Sequence, residues 1–138
     1  IKELKKDKIY PKYICCVYPA SPLTNHKNIK FSYNLIKQKK NKFVYPSTLL
    51  TKNTKINKKT KIIKIKKIKK KQGIVNDIYL DAGQFYYGST QTWKNSKTVF
   101  FKKSLTFLIK ENVSDINTLK DWNAVKKIFS KKKNILKL

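Results

Sequence analysis

Arginine and methionine are absent from this chain, histidine occurs only at His26, and glycine occurs only three times. All 34 basic residues are therefore lysine, set against seven acids, for a net charge of +27. Arginine is the side chain that forks onto phosphates, reads guanine edges and stacks on bases. Without it, base-specific readout of nucleic acid is poorly served despite the charge. Lysine, isoleucine, asparagine, tyrosine and phenylalanine are enriched together, so much of the charge is ascribed to compositional drift at solvent-facing positions. Long hydrophobic runs are missing too: nothing reaches the roughly 18 apolar residues of a membrane-spanning helix. The opening IKELKKDKIY is too charged for the apolar region of a signal peptide. A soluble, cytoplasmic protein is expected. With no methionine and Ile1 at the start, the sequence is also expected to be the C-terminal part of a longer chain.

Cysteine is scarce, and its placement excludes more. Cys15 and Cys16 are adjacent, and neighbours on a strand point to opposite faces, so they are not expected to bond each other. With one histidine there is no Cys/His metal cluster and little basis for a Cys–His nucleophile. Two small buried residues in a reducing compartment are the expectation.

What is present fits one α/β domain over residues 1–138. Residues 1–9 read as the tail of a helix. Residues 13–18 (YICCVY) form a continuous apolar run, the mark of a strand buried on both faces. Pro19 and Pro22 end it, and Thr24 or Asn25 can cap a helix whose core stripe is Ile29, Tyr33 and Ile36. Residues 43–50 (FVYPSTLL) read as a second strand, ending at an edge or bend because of Pro46. Residues 51–72 are a lysine-rich exposed arm or hairpin whose isoleucines fit strand and helix about equally. Residues 79–87 read as a strand punctuated by glycine, 91–93 as the start of a short helix and 105–110 as a strand. Thr118 and Asp121 make a capping box for a final helix with Leu119, Trp122, Val125 and Phe129 as its buried stripe.

Residues 79–88 (YLDAGQFYYG) hold two of the three glycines, four aromatic rings and no lysine. A lysine-rich chain that keeps lysine out of one segment marks that segment as packed or functional. It is one of three loops expected near strand ends, where an α/β sheet keeps its ligands. The others are residues 18–24 and 115–118. Asp81 and Asp115 are carboxylates that could serve a hard, oxygen-binding cation such as Mg²⁺. Taken singly each is weak, since Asp before a helix is usually a cap.

In this order, the segments CCVYPASPL (15–23), YLDAGQFYYG (79–88) and DINT (115–118), followed by Asp121-Trp122, resemble the sugar-acid cytidylyltransferases. These are the CMP-sialic acid synthetases, and the closest likeness is to their pseudaminic acid branch. The resemblance implies a Rossmann-like, glycosyltransferase-A-like three-layer nucleotidyltransferase sandwich with its N-terminal strands missing from these residues. It implies CTP and a nonulosonic acid as substrates, CMP-sugar and diphosphate as products, Mg²⁺ as cofactor, and a homodimer with no specific nucleic acid and no membrane among its partners. By resemblance Asp115 is the catalytic and metal-binding residue. Asn117 is the second metal ligand, standing where the family has a carboxylate. Tyr18, Ser21, Lys71, Asp81, Gly83, Gln84 and Tyr86 line the substrate pocket. Within a longer chain these residues would be the sugar- and metal-binding part; standing alone they would be an inactive remnant. The competing expectation is a lysine-rich RNA- or ribosome-associated protein that binds by counterion release.

Overall fold

The computed structural model describes residues 1–38, 42–51, 61–70, 73–101, 103–110 and 115–135. In chain order these form α1 (Lys2–Lys6), β1 (Tyr13–Val17), α2 (His26–Gln38), β2 (Phe43–Leu49), β3 (Ile62–Lys70), β4 (Gly73–Asp81), β5 (Phe85–Ser89), α3 (Thr90–Asn95), β6 (Leu105–Leu108) and α4 (Leu119–Ile135). The class is α/β, built on one mixed sheet of order β1-β5-β2-β4-β3, with β6 also paired to β2. Only the β2–β6 pair is parallel; the other ladders are antiparallel.

Strand β2 is central. Val44 faces both Tyr87 and Leu105, and Ser47 faces both Asp81 and Leu108. A strand has two edges, so β4 and β5 share one edge of β2 and β6 takes the other. They are two arms of one bent strand, interrupted at residues 82–84. Between Phe43 and Ser47 the partner advances from Gly88 to Asp81, leaving three residues over as a bulge.

The bulge explains a correction. Pro46 does not place β2 at an edge: Phe43 to Ser47 are all buried and Pro46 sits mid-sheet. The Pro46 carbonyl accepts from Ala82 N–H at 3.2 Å, so Pro46 faces the bent strand. Its missing N–H falls opposite the bulge, where the ladder has already lapsed and no donor is needed.

Three further expectations change. Strand β1 pairs with β5 alone among the described strands and is half-buried to exposed, not covered on both faces. Accordingly Cys15 is half-buried and Cys16 exposed, and burial, with Cys16 adding to it, pushes the Cys15 thiol up to about 11. On α2, Ile36 and Ser32 are buried whereas Tyr33 is 38% exposed. Tyr33 packs edge-on against Tyr13 and tilted against Tyr87 instead. On α4 only Val125 of the expected stripe is buried. The helix start is as read: Thr118 Oγ1 accepts from Asp121 N–H at 3.2 Å, and Asp121 Oδ2 accepts from Thr118 N–H at 2.9 Å. Asn25 caps α2 by accepting from Lys27 N–H at 2.9 Å. The isoleucines of residues 62–70 take the strand alternative, pairing with β4 down to Lys70 opposite Gly73.

Phe43, Tyr45 and Tyr86 form a core on one face of the sheet, joined by Ile63, Trp93, Val99, Phe100 and Phe101. Full burial of a side chain such as Phe43 contributes about 1.5–3 kcal/mol. Gly88 is where this packing is tightest. A Cβ there would lie 2.7 Å from two ring carbons of Phe43 and 3.1 Å from Trp93 Nε1.

Candidate functional site

Asp81 ends β4 directly opposite Ser47. Cross-strand partners share a face, so Asp81 projects on the same side as Tyr45 and Tyr86. At the bulge Gly83 adopts φ +59°, which glycine reaches without strain. That turn aims its N–H at Asp81 Oδ1, 3.2 Å away. The Tyr86 hydroxyl donates to the other carboxylate oxygen, Oδ2. Both oxygens of Asp81 are thus engaged within its own segment.

Around this pair stand three aromatic rings. Tyr86 lies 5.2 Å from Tyr18, 5.6 Å from Tyr45 and 5.8 Å from Phe100, centroid to centroid. Lys61 places its Nζ 5.3 Å from the Phe100 ring. Burial pushes the Asp81 carboxyl above the usual carboxylate range, against the opposing pull of the Tyr86 hydroxyl, the Gly83 N–H and the Lys61 charge. Burial, then the hydrogen bond to Asp81, holds the Tyr86 hydroxyl protonated far above its ordinary range. Tyr45 rises to about 12, from burial and then the Asp81 charge.

The loop after β1 ties this cluster to the third segment. Tyr18 N–H donates to the Gln84 carbonyl at 2.9 Å, and Ser21 Oγ donates to the Gly83 carbonyl at 3.0 Å. One residue between them, the Ala20 carbonyl accepts from Ile116 N–H at 2.9 Å. Three stretches far apart in sequence therefore meet at residues 18–21. Asp115 and Asn117 flank Ile116, both exposed, with Asn117 Nδ2 donating to Asp115 Oδ2 at 3.1 Å.

Of the expected site residues, Tyr18, Ser21, Asp81, Gly83, Gln84 and Tyr86 gather at the bulge. Asp115 and Asn117 lie on the adjoining loop. Lys71 lies outside the described residues. Gln84 is 2% exposed and its Oε1 has no hydrogen-bond partner. The sequence reading missed Tyr45, Lys61 and Phe100. Tyr45 carried a signal, a ring inside the buried run of β2, whereas nothing distinguishes Lys61 among 34 lysines.

A hard cation finds oxygen donors on the second loop: one carboxylate at Asp115 and one amide carbonyl at Asn117. Among the described residues no group of three or more His, Cys, Asp or Glu converges on a point. Two protein donors suit Mg²⁺ only if phosphate and water oxygens supply the remainder, which is its usual habit.

No family model matches the chain. Among curated proteins its similarity is to nucleotidyltransferases of the cytidylyl-transferring class. Two such relatives are pseudaminic acid cytidylyltransferases of Campylobacter jejuni subsp. jejuni, one from serotype O:23/36 and one from serotype O:2. Each is 27% identical over 128 residues, covering 85% of this chain and 53% of the relative. The chain spans about half the length of the curated relatives it matches. The resemblance drawn from residues 15–23, 79–88 and 115–122 is to the same enzymes.

Proposed function

We propose that this chain forms part of a cytidylyltransferase that transfers CMP from CTP to a nonulosonic acid of the pseudaminic type. The observation that carries the reading is the meeting of the three resembling segments at residues 18–21, through Tyr18, Ala20 and Ser21. The anomeric hydroxyl of the sugar acid attacks the α-phosphorus of CTP. The bond from that phosphorus to the bridging oxygen breaks, diphosphate leaves, and the hydroxyl proton passes to solvent. Asp115 and Asn117 would hold Mg²⁺, which supplies charge neutralisation at the phosphates. Tyr18, Ser21, Gly83 and Tyr86 form the sugar pocket; Lys71, outside the described residues, is assigned to the same substrate by the resemblance alone. Both Asp81 oxygens are occupied, which favours a wall-forming role over metal ligation. The burial of Gln84 favours a place beneath the pocket floor. This reading carries with it a Rossmann-like, glycosyltransferase-A-like sandwich, a cytoplasmic site of action and a homodimer.

The test uses the polypeptide carrying this chain at its natural length, incubated with CTP, Mg²⁺ and pseudaminic acid. CMP-sugar and diphosphate are followed by phosphorus NMR. Asp115→Ala is expected to lower turnover by roughly 100-fold or more, the scale seen when electrostatic stabilisation of a transition state is removed. A folded protein that is inert with CTP and every nonulosonic acid offered would sink the reading.

A second reading, a polyanion binder, is favoured by the exposed Lys64, Lys66 and Lys67 along β3. It requires RNA affinity that falls steeply with salt and is indifferent to Asp115→Ala.

A further inference from the structure

Asp81 is held by its backbone and by both of its carboxylate oxygens. Its N–H donates to the Lys61 carbonyl at 2.9 Å, and the next N–H, of Ala82, donates to the Pro46 carbonyl at 3.2 Å. Its Oδ1 takes the Gly83 N–H and its Oδ2 the Tyr86 hydroxyl. Meeting two donors is the pattern of an ionised carboxylate, which can only accept. A phenol has one proton and donates once. With that proton on Asp81, the Tyr86 oxygen is left with lone pairs alone. The Tyr18 ring stands edge-on to Tyr86, 5.2 Å away, and its hydroxyl acts on the Tyr86 hydroxyl through a side-chain hydrogen bond. Tyr86 has no second proton to give, so Tyr18 is the donor in that bond. Tyr45 keeps its own proton, pushed up to about 12 by burial and then by the Asp81 charge, so it offers Tyr86 no competing anion. Tyr86 is 3% exposed and Asp81 half-buried, so the direction of these bonds is set inside the described chain and does not depend on an open face.

We propose that Asp81 is a positioning residue that points a hydroxyl relay inward, from Tyr18 to Tyr86 to Asp81, so that the Tyr18 end presents only lone pairs to the substrate. The group taken there is then a donor, a hydroxyl or N–H of the sugar acid. The sugar's own carboxylate, a charged acceptor, is kept off this wall and faces elsewhere. The identity of the ligand rests on the sugar-acid reading above; the direction of the relay does not. Asparagine has nearly the same shape as aspartate but breaks that direction. The Gly83 N–H needs an acceptor, so in Asp81→Asn the amide oxygen faces Gly83 and the amide nitrogen faces Tyr86. Tyr86 must then accept from residue 81 and donate toward Tyr18, which reverses the relay.

The test uses the polypeptide carrying this chain at its natural length, with its tyrosines labelled at the Cζ carbon. By NMR, Asp81→Asn is expected to move the Cζ signals of both Tyr86 and Tyr18, although Tyr86 stands between Tyr18 and residue 81. In a Tyr86→Phe background the same substitution is expected to leave the Tyr18 signal still. With CTP, Mg²⁺ and pseudaminic acid, Asp81→Asn is expected to raise KM for the sugar roughly ten-fold, the effect of one mispaired hydrogen bond, with KM for CTP within about two-fold. Added to Tyr86→Phe, it is expected to leave the sugar KM unchanged, because no hydroxyl remains to be reversed. A merely structural loss would reduce the folded fraction, read by circular dichroism, and lower the rate without moving either KM. A Tyr18 signal indifferent to Asp81→Asn would overturn the relay, whether or not the protein turns over CTP. A protein inert with CTP would sink the enzyme reading instead and leave the Tyr18 signal to decide. A Tyr18 signal that moves while the sugar KM stays put would overturn the donor specificity, since the outer end of the relay would not meet the sugar.

Discussion

Asp81 holds its proton more tightly in the fold than in the unfolded chain, because burial raises its pKa more than Tyr86, Gly83 and Lys61 lower it. The stability that this contributes is complete below the ordinary aspartate value of about 4 and is lost as pH rises through the folded value. Asp81→Asn does not titrate. Its stability relative to the parent is therefore expected to climb with pH across that window, measured as urea midpoints over a pH series. A difference that stays constant with pH would contradict the assignment. Tyr86→Phe removes a donor from the same carboxylate. It is expected to cost about 1–3 kcal/mol and to move Asp81 still higher, readable from the carboxyl carbon by NMR.

At the scale of elements, the bent strand makes the sharpest demands, and Gly83 and Gly88 fail in different ways. Gly83 has open space for a Cβ but a positive φ, so Gly83→Ala costs only the backbone penalty of about 1–2 kcal/mol. Gly88→Ala drives a Cβ into the buried Phe43 ring and against Trp93, whose Nε1 donates to the Ile14 carbonyl at 3.2 Å. Overpacking typically costs about 1–3 kcal/mol, and here it also disturbs the anchor of β1, so Gly88→Ala is expected to be the more destabilising. Thermal midpoints of the two variants, measured side by side, decide it; the reverse order would be wrong for this packing. The same strand shows what sequence can convey. Glycines, aromatics and the exclusion of lysine mark residues 79–88 as special. The bulge itself stays hidden, because it depends on how β2 and its partner count against each other, and so does the central position of Pro46. On α4 the caps are legible because they are local, whereas periodicity marks an apolar face without saying what covers it. The contact of Ala20 with Ile116 joins residues far apart through backbone atoms, which no residue type announces. Lys61 is invisible for a plainer reason, since it is one lysine among many.

For the molecule as a whole, +27 on 138 residues is a large self-repulsion that the folded state concentrates. Exposed charges are screened beyond about 10 Å at 0.1 M salt. The thermal midpoint is therefore expected to rise between dilute buffer and roughly 0.3 M sodium chloride, then level off as the Debye length shrinks. Scanning calorimetry across that range checks it; a midpoint flat in salt would mean that the lysines are too well spaced to oppose folding. The loop after β1 has a different kind of consequence. Two of its three links, Tyr18 to Gln84 and Ala20 to Ile116, run between main-chain atoms, and the third needs only a hydroxyl at Ser21. Such a junction is nearly blind to side-chain identity. Residues on its rim can therefore be exchanged over generations while the three segments of this chain stay where they are.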